Sequence, residues 1–483
     1  MNYLEKEKFF DNIQSLLSES KNKLASKLLN TYLNSDPYCS KGLNIYAQLN
    51  LLEGNQNKAE DLFNKSLIQD PKNLNSLFNL AKIEIQRDNF VNAKIFVKKC
   101  LEIDNENHVF HNYLGAVYLK LNKIKQSLDE FYRSIAIEPH NYRAYANMSS
   151  AYLCIGKYKK AISCIDKAFK FNNSPEYLKR KASIFLLLRN FKEGWELYEN
   201  RKHSPLTMNR YIHDEKLWDG KRSLEGKRIF IYMEQGLGDI IQFSRCLKLI
   251  DLFNVKVIFL VPKTLITLFS SLDEKITLID KDDPIPDYDF QVPIMSLPYL
   301  QGLSLDISPV DVPYLYPNIT KVSLWKKGFN NQRKLKIGFA FSGRKTHPDN
   351  SNRSIRIQEF VSILDDRFDW HLLQNEISIE EKTILLEHKN IYTHEENLDS
   401  MDDTAALISC MDIVISVDTS IVHLTGALNI PVWVLLPFNP DFRWMLERND
   451  APWYPSATLY RQRLQGNWKQ VFEDIHTSLN QMI

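Results

Sequence analysis

A step of 34 residues governs the first 200 positions of this 483-residue chain. Asp36-Pro37, Asp70-Pro71, Asp104-Asn105, Glu138-Pro139 and Asn172-Asn173 recur at that interval. Ala25, Ala59, Ala93, Ser127 and Ala161 keep a small residue at a second register, and Ala47, Ala81, Gly115 and Ser149 do so at another. Leu29, Phe63, Val97, Phe131 and Ile165 keep a large apolar one. Small residues at fixed places let two antiparallel helices approach closely. The large ones fill the gap to the next unit, and proline closes a unit because it cannot continue a helix. Such a chain buries its apolar faces only between neighbouring units. The pattern therefore predicts a superhelical stack of helix pairs over residues 1–200, with a concave face suited to a peptide or protein segment. A rigid spacer or a dimerisation surface is the other use of such a stack. Tyr113, Tyr118, Tyr142, Tyr145 and Tyr152 are candidates for the groove, but their helical spacing also suits the core.

Beyond residue 200 the period fades. Residues 201–226 are polar with isolated aromatics and read as a linker. From Arg228 onward short apolar runs alternate with amphipathic stretches, which is the βαβ signature of a parallel sheet covered by helices. The runs are RIFIYM, VKVIFLV, ITLID and FQVPI, then a break at 313–334, then LKIGFAFSG, DWHLLQN, DIVISVDT and PVWVLLP, with a last helix from about Trp468. Two successive Rossmann-like halves are expected, 227–322 and 323–483. Ligands in such sheets sit beyond the carboxyl ends of the strands.

Composition narrows the function classes. A formal charge of +2 gives no electrostatic case for nucleic acid or an anionic membrane as main partner. No run of about 18 apolar residues is present, so no membrane span is expected. The start, MNYLEKEKFF, lacks the basic flank and apolar stretch of a signal peptide. The six cysteines are scattered without a CxxC pair, which fits a reduced, cytoplasmic chain.

Three loops at strand ends carry the residues with chemistry. The first is Glu234-Gln235-Gly236-Leu237-Gly238-Asp239. Gly236 and Gly238 permit backbone angles closed to other residues and a close approach to a ligand. The GxGxxG dinucleotide fingerprint is absent. Asp239 stands where a bound phosphate would be repelled, so it is either a helix cap or a group with its own chemistry. The second loop, 341–356, offers Lys345, His347, Arg353 and Arg356 beside Ser342 and Gly343, a cluster suited to a diphosphate or simply a solvated basic loop. The third, 416–428, ends a strand at Asp418 and opens a helix at Thr419 and Ser420, an anion site by its free N–H groups or an ordinary N-cap. His423 lies one turn in, as a ligand contact or a satisfied core histidine.

The repeat registers match the tetratricopeptide pattern. The three loops, with the runs DDTAALISCMDIVISVDTSIVHLTGALNIPVWVLLPF and RWMLERNDAPWYPSATLYRQ, resemble bacterial tetratricopeptide proteins that carry a GT-B glycosyltransferase domain related to the heptosyltransferases (glycosyltransferase family 9). In form the chain is also similar to tetratricopeptide flagellin glycosyltransferases. The expected fold class is thus multidomain: an all-α tetratricopeptide superhelix followed by an α/β GT-B pair of Rossmann-like halves. The resemblance implies that Asp239 is the catalytic base. It also implies that Asp418, Thr419, Ser420 and His423 contact the nucleotide sugar; Gly236, Gly238, Ser342, Gly343, Lys345 and Arg353 are the further donor-site candidates that the loops themselves offer. Ser420 stands where the family has glycine, which narrows the pocket and departs from an ADP-heptose donor. Asp287-Tyr288-Asp289 is a DxD triplet that precedes a strand among prolines, and it reads as structural. No metal and no cofactor are expected, the nucleotide sugar being a substrate. The expected function is inverting transfer of a sugar to an acceptor, a protein hydroxyl presented by the repeats. The alternatives are a scaffold with a non-catalytic second half, or transfer to a glycan or lipid-linked acceptor.

Overall fold

In the computed structural model, residues 3–203, 214–250, 253–302, 311–329, 334–346 and 350–482 are described. The chain divides into two compact units, Met1–Asn173 and Ser174–Ile483.

Among the described residues the first unit holds ten helices, packed as successive antiparallel pairs such as Leu74–Gln86 with Phe90–Ile103 and His108–Lys120 with Ile124–Ile137. The sequence registers are the seams. Ala25, Ala59, Ala93, Ala161, Leu29, Phe63, Val97 and Phe131 are fully buried, and an atom added at Gly115 would stand 2.6 Å from the Phe131 ring. Burying each large apolar side chain contributes about 1.5–3 kcal/mol. Tyr118, Tyr145 and Tyr152 are buried between helices, so they belong to the core and not to a groove. A further register emerges at the turns. Ser20, Gly54, Asp88, Asn122 and Gly156 all have left-handed backbone, with φ between 56° and 82°. Each is followed by an N–H that reaches back five residues, as in Asn55 to Asn50 and Lys123 to Tyr118 (both 2.8 Å), which closes the last helical turn.

The second unit begins with one more helix pair, Pro175–Leu187 and Phe191–Tyr198. The sequence groups this pair with the repeats, whereas its burial is against the sheets that follow. Trp195 and Tyr198 are 2% exposed and meet Phe442 edge-on, with Trp195 also on Phe243. Arg201, inside the expected linker, is fully buried: it forks onto Glu234 (3.1 and 2.8 Å) and bonds Glu199 (2.7 Å) and Ser296 (2.8 Å). Later in that stretch Leu217 bridges to Gln291. Linker residues 204–213 lie outside the described residues.

Two parallel sheets follow. The first contains β1 (Arg228–Tyr232), β2 (Lys256–Leu260), β3 (Ile276–Ile279) and β4 (Phe290–Pro293) in the order β3-β2-β1-β4. The second contains β5 (Lys336–Ala340), β6 (Asp369–Leu372), β7 (Ile391–Tyr392), β8 (Ile413–Val417), β9 (Val432–Leu436) and β10 (Ala457–Arg461) in the order β10-β9-β8-β5-β6-β7. Their near-continuous burial, complete in β8, is that of strands covered on both faces. In each sheet the chain runs outward one way and then returns to the other side of its first strand. That puts switch points between β1 and β4 and between β5 and β8. The edge strands β7, only two residues long, and β10, ATLYR with only Ala457 and Leu459 buried, carry too few apolar residues to announce themselves in sequence. The break at 313–334 holds the helix Ile319–Gly328, which spans the expected border at 322/323. Lys321 on this helix pairs with Asp402 and Asp403 (2.9 and 2.6 Å), which ties it to the second sheet's half. No described helix is long and apolar enough to cross a membrane.

Candidate active site

The loops after β1, β5 and β8 leave from the switch points, where an open parallel sheet has room for a ligand. The helices that follow β1 and β8, Leu237–Ser244 and Ser420–Ala427, pack directly on one another across the two halves. Gly238 makes that approach possible: a Cβ there would stand 2.7 Å from Cδ2 of His423 and 3.5 Å from Cα of Ser420. The two loop glycines do not serve through unusual backbone angles. Gly236 has φ −74°, ψ 170°, extended backbone open to any residue, and Gly238 is not left-handed.

Asp239 does two things at once. Its Oδ2 accepts from the Gly236 N–H (2.9 Å), a helix-capping bond, and its Oδ1 accepts from Nη2 of Arg443. Arg443 comes from the turn Phe442–Trp444 after β9, and its side chain is 7% exposed. Its remaining nitrogens bond Asp441 Oδ1 (2.7 Å) and Gln242 Oε1 (2.6 Å). Neither Arg443 nor Gln242 nor Asp441 is singled out by the sequence. The partners of Arg443 lie 204 and 201 residues away, and an isolated arginine carries no spacing signal. Arg245 is a second unanticipated tie between the halves. It is buried, bonds the Trp453 carbonyl (2.7 Å), and lies over the rings of Tyr314, Trp453 and Tyr454.

Asp418 closes β8 with 9% exposure. Burial pushes its carboxyl up to about 7, and the neighbouring Asp441 adds to this against the pull of Arg353 and Arg443. His423 Nε2 stands 4.0 Å from Asp418 Oδ1. Burial holds His423 well below its ordinary value, reinforced by Arg443, Arg245 and Arg353, so the two are not an ion pair. His423 Nδ1 meets the Tyr454 hydroxyl at 3.0 Å and its ring stacks on Trp444. The histidine is thus satisfied on one side, with its other edge toward Gly238. Thr419 is the N-cap, accepting from the Ile421 N–H (3.3 Å), and Ser420 is half-buried at the first position.

From the loop after β5, Arg353 donates to the Asp418 carbonyl (2.8 Å) and packs on Gly343, where a Cβ would lie 2.6 Å from its Nη2. Among the described residues its Nε is buried without a partner, a spare donor near the Asp418 carbonyl that precedes the Ser420–Ala427 helix. Ser342 is held by Gln374, which accepts from its N–H (3.2 Å) and donates to its hydroxyl (3.1 Å). Lys345 is exposed and makes no hydrogen bond or ion pair among the described residues. Arg356 pairs with Glu359 on the surface. His347 lies outside the described residues. Asp289 accepts from the Arg228 N–H (2.8 Å) at the entrance of β1, the end of the sheet away from this site. A hollow of about 470 Å³ bordered by Asp369, His388 and Asn390 also opens at the strand entrances, of β6 and β7, away from these residues. Among the described residues no three His, Cys, Asp or Glu side chains converge as metal ligands would.

The geometry therefore gathers Gly238, Asp239, Gly343, Arg353, Asp418, Thr419, Ser420 and His423 at the two switch points and adds Arg443, Asp441 and Gln242, with Lys345 exposed on the loop after β5. The tetratricopeptide repeat family model matches residues 74–107 and 142–175. Protein FlbA of Caulobacter vibrioides is 25% identical over 420 residues, covering 79% of this chain and 69% of FlbA, which is more of this chain than either unit alone supplies. The CTR9 homolog of Arabidopsis thaliana is 27% identical over 143 residues, 28% of this chain and 13% of that protein. Among solved structures, PilW, a type IV pilus biogenesis factor, is 17% identical with a TM-score of 0.39, over 44% of this chain and 97% of PilW. The chain thus carries tetratricopeptide repeats in its first unit and parallel sheets in its second, and it is similar to FlbA along most of its length.

Proposed function

We propose that the second unit is a metal-independent, inverting glycosyltransferase of the GT-B kind, and that the repeats hold its protein acceptor. The reading is carried by one observation. The helix that carries Asp239 packs on the Ser420–Ala427 helix, with Gly238 against His423 and Ser420, and Arg353 from the second sheet bonds the Asp418 carbonyl just before that helix. In this reading Asp239 takes the proton of an acceptor hydroxyl as its oxygen attacks the anomeric carbon of a nucleotide sugar. Arg353 and the Thr419–Ser420 helix start hold the departing phosphate charge. A single displacement inverts the anomeric centre. Asp418 and His423 line the donor side, and Ser420 narrows it.

A second reading has its own observation: both oxygens of Asp239 already have partners, as in a purely structural cap and interdomain tie. The chain would then be a tetratricopeptide scaffold whose sheets no longer catalyse. Thermal unfolding with UDP-, GDP-, ADP- and CMP-sugars separates the two. A donor at 100 times its Kd adds about 2.7 kcal/mol. The transferase reading expects one nucleotide class to raise the midpoint by several degrees, with the shift lost in Arg353→Ala. No shift with any class would favour the scaffold.

A further inference from the structure

Arg443 is a buried, fully bonded cation of the second unit that the transfer reaction as described leaves without a role. Its side chain is nearly sealed from solvent, with the guanidinium against Phe442 and Phe243 (4.6 and 5.5 Å). All of its nitrogens are used: one returns to Asp441 in its own turn, and the other two reach Asp239 and Gln242, one helical turn apart on the Leu237–Ser244 helix of the other half. A planar fork can meet three acceptors in this way, whereas an ammonium is a single point charge on a flexible stem. Asp239 is thereby fixed at both oxygens, by the Gly236 N–H from its own helix start and by Arg443 from the opposite half. Each oxygen keeps a further lone pair, and the side chain retains 18% exposure.

We infer that Arg443 is the positioning residue for Asp239, aiming the carboxylate so that it is aligned only when the β9 turn of the second half is docked on the first. This rests on the proposal that Asp239 is the base. Docking of the halves and alignment of the base are then one event. A carboxylate left to rotate on the helix end would bind the acceptor as well but meet its proton in the right geometry only part of the time, so the loss falls on kcat and not on KM.

The test uses the full chain and, as probe, the sugar nucleotide from the UDP, GDP, ADP and CMP series that shifts the melting midpoint, with turnover read as nucleotide release. Arg443→Lys and Arg443→Gln are expected to keep KM within about threefold and to lose kcat by about 30-fold or more. Asp239→Asn should lose as much, and Asp239→Asn/Arg443→Gln no more than Asp239→Asn alone, because the two side chains act as one unit. Gln242→Met removes one tooth of the fork without touching any charge, and it keeps the question answerable if the Arg443 variants do not fold. It should lower kcat severalfold at unchanged KM. Full kcat in Arg443→Lys or in Gln242→Met, with Asp239→Asn inactive, overturns this inference and leaves the base intact. Full activity in Asp239→Asn overturns the base and the inference together.

Discussion

Gly238 has no freedom to gain a side chain, because a methyl group there would press into the His423 ring, and Tyr454 and Trp444 hold that ring in place. Gly238→Ala is therefore expected to cost about 1–3 kcal/mol, a fall of several degrees in the melting midpoint of the second unit. An unchanged midpoint would mean the two helices separate freely. Asp418 makes a prediction with a sign. Its folded value of about 7 lies above the ordinary 3.8, so between those limits the folded chain holds a proton that the unfolded chain has released. Stability contributed by this group is then complete at low pH and is lost as pH rises from about 4 to about 7. Asp418→Asn should raise the midpoint relative to the native chain more at pH 8 than at pH 4. The same difference at both would show that Asp441 and burial do not hold the proton. At this scale the sequence displays Asp239 as cap or base and the structure shows its cap bond. Arg443 opens one of the runs that carry the resemblance, but its role stays invisible until the fold brings its partners together.

An imidazole pair, His371 buried and His394 half-buried, joins two elements of the second sheet's edge. His371 in β6 meets His394 just beyond β7, Nδ1 to Nε2 at 3.0 Å, with Tyr392 stacked on His371 and Phe329 edge-on to it. Burial holds both neutral, down at about 3 for His371, helped by His394 itself and Lys336, and at about 4 for His394. The unfolded chain takes up these protons near 6.5, so this contribution is present at neutral pH and fades as pH falls from about 6.5 toward 4. Asp418 acts in the opposite direction over the same window. His371→Phe, which keeps the ring stack, should flatten the acid limb by about one proton, or about 1.4 kcal/mol per pH unit. An acid limb of unchanged slope would place the titration elsewhere. The repeats show why element-level legibility was uneven. Close packing demands a residue size, so Ala25 and its successors repeat as letters. The left-handed turns demand a backbone angle, which Ser20, Gly54, Asp88, Asn122 and Gly156 meet with different side chains.

At the scale of the whole molecule, periodicity and membership of a compact unit part company at residue 174. The Pro175–Leu187 and Phe191–Tyr198 helices continue the repeat form one residue short of the 34-residue step, with a left-handed Arg189 and an Asn190 N–H reaching Phe185 (2.8 Å). Rhythm is a local property, however, and a unit is defined by the surface on which its apolar face is buried. Trp195 and Tyr198 bury theirs on Phe243 and Phe442, residues from both sheet halves, and Arg201 forks onto Glu234 in the loop after β1. A fragment that starts at Ser174 should therefore unfold in one cooperative transition, with nucleotide effects like those of the full chain. One that starts at Arg201 loses the two aromatic anchors, each contributing about 1.5–3 kcal/mol. It also leaves Arg201 without Glu199, and removing one partner from a buried charge network costs about 3–5 kcal/mol. The second fragment should be insoluble or melt at least 5–10 °C lower. Equal midpoints for the two would make this helix pair a last repeat in substance as well as in rhythm. Unequal ones would make it the part of the helical array that the sheets require to stand.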